Sequence, residues 1–550
     1  MVRKDMMIHS RAGAVGDVYI LAGGRTGRDG IHGVTFASRD LDAGSVDDIG
    51  AVQLGDPITK EPLMHLCLEL NEMKLLTGMK DLGGGGLSCV VGELALDGGF
   101  GASVNLEKVP LKVENMAPWE IWVSESQERM MFTVKPEDVD RVRARCEAWD
   151  VEAVPIGEVI TEKRNIVRFN GVEILNLDLE FTTGGPVYNR PYNLPDYDTW
   201  PAAPLPEYPA DLGKTILDLV SQPEVASKDW VIRQYDHEVR GKTALKPIQG
   251  PIGKDVPGDS SVLKPVDDSW KGLALTADVN PYLMEANPYH GTMSAVEEVC
   301  RNLAAVGARI DSLADCLCFG NPRKPDIMGQ FKASCEALRD AAMAVDVPYV
   351  SGNVSLYNET SDGAIPPTPV LMGVGLVEDI RNCTTSDMKK DGSIWLIGKT
   401  KEEMGASLYY RSIGKDCPNI PKTDFDSFMP RMEQLILAIE QGEVVACHDI
   451  STGGIATAVI EMCMSGVGAS IRLGEDMRAD VELFSESNGR WIVQVANGKD
   501  KDFARRFDYA TRIGEVGNKI AFSKGNDVIA ELEIDELRNA WTMPVWDRLA

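Results

Sequence analysis

The chain repeats itself in order, and that constrains its fold more than any other feature. Asp81-Leu82-Gly83-Gly84-Gly85-Gly86-Leu87 resembles Asp449-Ile450-Ser451-Thr452-Gly453-Gly454-Ile455, and Glu93 falls on Glu461 at the same offset. Gly101-Ala102-Ser103-Val104 then matches Gly468-Ala469-Ser470-Ile471, and Ser124-Glu125-Ser126-Gln127-Glu128-Arg129 matches Ser485-Glu486-Ser487-Asn488-Gly489-Arg490. Upstream, the segment from Gly16 to Gly24 has the character of Gly392 to Gly398. One matching heptad is within chance. Four matches in one order imply a duplicated domain. The region 227–380 lies between the copies and has no complete partner. An ancestor with two parts per copy predicts the order A-B-A-B, with most of the first A part absent.

Composition limits what this duplicated chain does. The 550 residues are 44% hydrophobic and 25% charged, which is ordinary for globular domains. The net charge of −28 makes a duplex-binding surface a poor expectation. It leaves room for a local basic pocket for one small phosphate ester. No run of 18 apolar residues occurs, so no membrane-spanning helix is expected, and the first residues lack the apolar core of a secretory signal. Eleven scattered cysteines without Cys-x-x-Cys spacing fit reduced thiols in a cytoplasm, and the six histidines form no zinc-like cluster.

Local patterns place the elements. Gly16 to Gly24 predicts a strand entering a glycine turn. Residues 59–79 carry a helical apolar pattern through Leu63, Leu66, Cys67, Leu70, Met73 and Leu76. Strands are expected near 102–106 and 130–134, helices near 136–147 and 294–306. Between 183 and 226, Pro186, Pro191, Pro195, Pro201, Pro204, Pro206 and Pro209 predict a semi-rigid linker. A weaker boundary is expected near 380–392.

Several clusters carry chemistry, each with a plainer reading beside it. Asp81, one residue before four consecutive glycines, suits Mg²⁺ and phosphate, because glycine exposes backbone N–H groups and Mg²⁺ prefers carboxylate and phosphate oxygens. It also suits a capped strand-to-helix turn. Ser124 to Arg129 follows the largely apolar Trp119-Glu120-Ile121-Trp122-Val123, as a ligand rim or a solvated loop at a strand end. Gly352-Asn353-Val354-Ser355 suggests a phosphate or metal turn, or a surface turn. Asp315-Cys316-Leu317-Cys318 ends a hydrophobic strand before an Asn-Pro turn. Glu298 and Asn302 share one helix face, which is otherwise simply solvated. Asp259 precedes Ser260 as a metal ligand or a cap. No P-loop is present. His448-Asp449 lacks a serine or cysteine elbow, so nucleophilic hydrolysis is not expected.

Together these motifs resemble the phosphoribosylformylglycinamidine synthase family, in its form without a fused glutaminase. The resemblance runs in order through Gly24 to Gly30, Gln53-Leu54-Gly55-Asp56-Pro57, Asp81 to Leu87, Ser124 to Arg129, Gln234 to Val239, Asp315 to Pro322, Gly352 to Glu359 and His448 to Ser451. It implies an α/β fold of duplicated aminoimidazole-ribonucleotide-synthetase-like domains. In domain terms these are the tail of a first A domain (1–15), a first B domain (16–182), a Pro-rich linker (183–226), a second A domain (227–385) and a second B domain (386–550). It implies that ATP phosphorylates the amide oxygen of formylglycinamide ribonucleotide and ammonia then displaces phosphate. By the same resemblance Gln53, Glu125, Ser126, Gln127 and Ser355 contact the substrate, Asp315 and Gly352 contact ATP, and Asp81 and Asn353 bind Mg²⁺. Asp259, Glu298, Asn302 and Asp449 match the Mg²⁺ ligands of an auxiliary nucleotide in large family members. The implied partners are a glutaminase subunit and a small bridging subunit.

Two departures stand out. The family has Asn where this chain has Cys318. The family stretch carrying a catalytic His, an ATP-contacting Lys, a Mg²⁺-binding Glu and a second Mg²⁺-binding Asp would precede Met1. The expectations are a ligase completed by a separate N-terminal fragment, or an incomplete fragment that binds nucleotide or serves as an assembly module. An A-type sheet without its partner would leave an apolar face open, so dimerisation or poor solubility is expected, with a clean monomer by light scattering as the contrary result.

Overall fold

The computed structural model describes residues 4–31, 33, 51–185, 187–194, 205–235, 237–415, 419–507 and 509–549. Met1 to Arg3, Pro186, Pro195, Pro201, Pro204 and Asp236 lie outside the described residues. The chain divides into two compact units: residues 1–189 with 357–363, and residues 190–356 with 364–550.

The first unit is built on a seven-stranded sheet. Its strands are β1 (Val18–Gly23), β2 (Gly78–Asp81), β3 (Gly101–Asn105), β4 (Arg129–Val134), β5 (Ala153–Ile160), β6 (Arg164–Phe169) and β7 (Val172–Asp178), in the order β2-β4-β1-β5-β3-β6-β7. The apolar run Val18 to Ala22 makes β1 a central strand covered on both faces. Alternation sends Tyr19 and Leu21 to one side and Ile20 and Ala22 to the other. Helices α1 (Pro57–Glu72) and α4 (Val139–Ala148) pack Leu63, Leu66, Leu70, Val142 and Cys146 against Ile20 and Phe132. Helix α2 (Leu87–Gly98) packs Leu87, Val90, Val91 and Leu94 on the opposite face.

Two local readings are corrected here. The helical pattern expected over 59–79 ends at Glu72, because Lys74 takes a positive φ of 56° and turns the chain towards β2. Trp119 to Val123, expected as a strand, is the one-and-a-half-turn helix α3 (Pro118–Val123). Pro118 sits at its first position, and the Glu120 carboxylate accepts the Ala117 N–H at 2.7 Å.

The second unit holds two large sheets. The first comprises β8 (Thr243–Leu245), β9 (Ser261–Leu263), β10 (Gly272–Asp278), β11 (Arg309–Cys318), β12 (Tyr349–Ser355) and β13 (Thr368–Val377), ordered β12-β11-β13-β10-β9-β8. The second comprises β14 (Ser393–Ile397), β15 (Val444–Asp449), β16 (Gly468–Leu473), β17 (Trp491–Val495), β18 (Ala510–Gly517), β19 (Ile520–Lys524) and β20 (Asp527–Leu532), ordered β15-β17-β14-β18-β16-β19-β20. Replaced by their repeat counterparts, these strands give the order of the first unit's sheet, strand for strand. The duplication is therefore one of topology as well as of motifs.

Helix α6 (Pro288–Ala305) explains why the second unit is one body. Its residues Ala295, Val296, Val299, Cys300, Leu303 and Ala304 are fully buried. They share one apolar cluster with Trp395, Ile397 and Trp491 of the second sheet and with Phe428 of the helix Phe425–Glu440. Glu297, Arg301 and Asn302 of the same helix are buried too, so it is covered on both its apolar and its charged side. Asn287 starts it by accepting the His290 N–H at 3.0 Å, six residues earlier than the pattern near 294 suggests. The segment expected as a Pro-rich linker contains helix α5 (Leu212–Val220), capped by Asp211 and anchored through buried Leu212, Ile216, Leu219 and Val220. Prolines mark its neighbours, but this apolar face belongs to the core. On the six-stranded sheet, Val350, Val354 and Met372 remain exposed.

Candidate functional site

In the first unit, strand β2 delivers the exposed Asp81 to the start of the glycine turn. That turn needs glycine. Gly86 has φ of 54°, and a Cβ there would lie 1.9 Å from the Ser124 carbonyl oxygen. The buried Glu125 ties the site together: one carboxylate oxygen accepts Gln53 Nε2 at 2.7 Å and the other accepts the Gly85 N–H at 3.0 Å. Ser126 Oγ accepts the Gly27 N–H at 2.9 Å, and Gln127 Nε2 donates to the Glu125 carbonyl at 2.8 Å. Gln53, Asp81, Glu125, Ser126 and Gln127 thus sit around one turn.

Arg129 holds this arrangement from behind. Its guanidinium donates to the carbonyls of Ser126 (2.7 Å) and Ser124 (2.6 Å) and to Thr26 Oγ1 (2.9 Å). Burial lowers its pKa to about 10. The second unit rebuilds the same knot. Arg490 donates to the carbonyls of Ser487 (2.7 Å) and Ser485 (2.6 Å) and to Thr400 Oγ1 (2.9 Å). Glu486 accepts the Gly453 N–H at 2.8 Å as Glu125 accepts that of Gly85.

In the second unit, Asp315, Gly352, Asn353 and Ser355 lie together on the parallel pair β11–β12. Asp315 faces Gly352 in register, Cys316 faces Asn353, and Cys318 faces Ser355. The Gly352-Asn353 turn expected from sequence is therefore a strand. β12 is an edge strand, and its short polar residues leave it looking like a turn in sequence. A Cβ on Gly352 would approach both Asp315 carboxylate oxygens to about 3.0–3.1 Å, so glycine keeps that carboxylate accessible. Burial raises the Asp315 pKa. Asn353 Nδ2 approaches Cys316 Sγ at 3.6 Å.

The other four predicted ligands surround a buried charge cluster. Arg301 donates to Asp449 (3.0 Å) and Glu297 and lies 3.2 Å from Glu298. His448 Nδ1 lies 2.6 Å from Asp259, and Nε2 lies 3.1 Å from Glu461. Glu298 and Asn302 face this interior and not solvent. Burial raises the Asp259 pKa to about 6, and Asp278 is raised by burial and by Glu298. Burial lowers the His448 pKa, but Asp259 and Glu461 outweigh it and raise it well above the ordinary imidazole range.

The residues fit a divalent cation. Among the described residues Asn302 Oδ1 and Asp278 Oδ2 are buried without hydrogen-bond partners, and carboxylate oxygens of Asp259 and Asp449 lie within 4.8 Å of one another. Sequence reasoning missed Asp278, Arg301 and Glu461 as members of this cluster. Only the Glu93–Glu461 match hinted at one of them: Glu93 pairs with Lys80 at 2.9 Å where Glu461 pairs with His448.

Glu486 has a pH consequence. Burial pushes its pKa from 4.5 up to about 7. The native protein then binds more protons than the unfolded chain between those values, so this group's contribution to stability falls as pH rises through that window. Glu486→Gln keeps an oxygen acceptor for the Leu408 and Gly453 N–H groups. The drop in thermal midpoint between about pH 5 and about pH 8 should be smaller in the variant than in the parent chain. Equal drops in calorimetry would refute this.

Known proteins match most of this chain. Residues 14–170 and 389–523 match the AIR synthase related protein C-terminal domain, and residues 257–377 match the corresponding N-terminal domain. The chain is 38% identical over 548 residues to the phosphoribosylformylglycinamidine synthase subunit PurL of Thermoplasma acidophilum, covering 98% of this chain and 72% of the relative. The PurL subunit of Methanothermobacter marburgensis is 40% identical over 556 residues, covering 98% and 74%.

The chain belongs to the PurL family.

Among solved structures, Thermotoga maritima PurL complexed with FGAR aligns with a TM-score of 0.70 and 25% identity, covering 94% of this chain and 74% of that one. The PurL fold of paired AIR-synthase-like domains is the fold seen here. Among the described residues no helix is long and apolar enough to cross a membrane, and ten cysteines are free thiols.

Proposed function

We propose that this chain is the ATP-dependent C–N ligase that converts formylglycinamide ribonucleotide to formylglycinamidine ribonucleotide in purine biosynthesis. The observation that carries the reading is the match to PurL subunits along 98% of the chain. The Glu125–Gln53–Gly85 arrangement beside Asp81 supports it locally.

The chemistry asks for charge control. An amide oxygen is a poor leaving group, and phosphorylation makes it a good one. Ammonia then attacks the amide carbon and phosphate departs. Gln53, Glu125, Ser126, Gln127 and Ser355 are the proposed substrate residues, with Glu125 buried so that its carboxylate stays oriented. Asp315 and Gly352 are the proposed ATP contacts. Asp81 and Asn353 would hold Mg²⁺, which when bound neutralises charge on the transferring phosphoryl group. Asp259, Glu298, Asn302 and Asp449 would hold the cation of an auxiliary nucleotide, with Arg301 balancing them. The proposed domains are 16–182, 227–385 and 386–550. The proposed partners are a glutaminase that supplies ammonia and a small bridging subunit, in the cytoplasm.

The test is amidine formation from formylglycinamide ribonucleotide, ATP and either ammonia or glutamine with the glutaminase partner. ADP, phosphate and amidine should appear in equal amounts. Gln127→Ala should raise KM for the ribonucleotide by about tenfold through loss of a polar contact. ATP consumption without amidine in the full complex would overturn the assignment.

A further inference from the structure

The buried cluster of the second unit contains a carboxylate that no sequence motif announces. Asp278 ends strand β10, between β9 and β13 in the sheet. Its carboxylate meets that of Glu298 on helix α6. Two carboxylates in contact away from water repel unless something positive lies between them. The protein's own cations are turned elsewhere. Arg301 directs Nε to Asp449 (3.0 Å), Nη1 to Glu297 and Nη2 to Glu298 (3.2 Å). His448 lies between Asp259 and Glu461. Asp278 Oδ2 receives none of these groups, and it is buried with no hydrogen-bond partner among the described residues.

A proton shared by Asp278 and Glu298 would relieve that pair alone. It would leave Asn302 Oδ1, also buried without a partner among the described residues, on a side chain only 9% exposed. Asn302 stands one helical turn beyond Glu298, on the same side of α6. A cation reached by Asp278, Glu298 and Asn302 satisfies all three at once. There is room for it. Asp278 and Glu298 line a cavity of about 180 Å³ with Asn280, Arg411, Thr452 and Glu486. At about 30 Å³ of liquid volume per water, that holds a cation and several waters. Arg411 in the same wall is paired with Glu224 at 3.0 Å and lies over the Tyr282 ring. Glu486 accepts the Leu408 and Gly453 N–H groups. Carboxylate and amide oxygens select a hard cation such as Mg²⁺, Ca²⁺ or Mn²⁺.

We propose that Asp278 is a ligand of the divalent cation in this cluster, beside Asp259, Glu298, Asn302 and Asp449; this rests on the auxiliary-cation reading and adds a ligand to it. Those side chains supply most positions of a six-coordinate cation, so the cation binds without any nucleotide.

The test uses Mn²⁺ as probe, without nucleotide, on the full chain carrying Asp81→Asn to silence the other proposed metal site. Free Mn²⁺ is counted by electron paramagnetic resonance. This chain should bind Mn²⁺ saturably. Adding Asp278→Asn should weaken that binding by at least about tenfold, as should Glu298→Gln. Asparagine matches aspartate in size, so the metal-free thermal midpoint should stay within about 2 °C. Affinity kept in Asp278→Asn but lost in Glu298→Gln would overturn the proposal and keep the auxiliary site, with a shared proton between the two carboxylates. No saturable binding, or binding indifferent to both substitutions, would overturn both. Crystals of the full chain soaked in Mn²⁺ answer without a substitution in the cluster. An anomalous peak within about 2.5 Å of an Asp278 carboxylate oxygen supports the ligand, and a peak on Glu298 and Asp449 more than about 3.5 Å from Asp278 refutes it.

Discussion

Arg301→Met should lower the thermal midpoint of the full chain by roughly 5–10 °C. Arg301 is 1% exposed and meets three carboxylates: Glu297, Glu298 and Asp449. Burial opposes its charge, and those carboxylates more than restore it. Removing the guanidinium leaves buried anions facing one another, at about 3–5 kcal/mol for a broken buried pair. Methionine fills most of the stem volume, so the loss is electrostatic more than steric. Glu297→Gln in the same background should recover part of the midpoint, because it deletes one uncompensated charge from a residue that touched the lost one. Differential scanning calorimetry decides. An unchanged midpoint in Arg301→Met would show that the cluster does not depend on this cation.

Asp81→Asn should have the opposite profile, with catalysis lost and stability kept. Asp81 ends strand β2 exposed, ahead of the glycine turn, and it carries no part of the core. As a proposed Mg²⁺ ligand it acts where phosphoryl charge develops, so kcat should fall by about 10²–10³-fold. The thermal midpoint should hold within about 1 °C, as for an exposed polar substitution. Steady-state kinetics across a magnesium series, beside a melting curve, separate the two effects. A variant with the parent kcat at saturating magnesium would remove Asp81 from the metal site.

Much of the candidate site was legible in the chain because it is built from local motifs. The Asp81 turn and the Ser124 to Arg129 run each bring their own glycines, serines and cap geometry. Both recur with the same hydrogen bonds at Asp449 and Ser485. Where local propensity and tertiary packing disagreed, the reading went wrong. Trp119 to Val123 has the β-branched and aromatic residues of a strand, but Pro118 and the Glu120 cap make it helical. Gly352-Asn353 has the composition of a turn, yet pairing with β11 extends it into a strand. Leu212 to Val220 hides a buried helix among prolines.

By itself the sequence determined the duplication, the order of the motifs, the family and the residues at each glycine turn. These depend on spacing along the chain, which is written in the residues themselves. Only the tertiary structure decided which of the repeats' side chains face one another. Arg301 beside Asp449 and His448 between Asp259 and Glu461 join residues from separate parts of the chain. Burial then sets their chemistry: a carboxylate or arginine has its ordinary charge in any exposed position, and only the packed, low-dielectric neighbourhood makes its partners decisive.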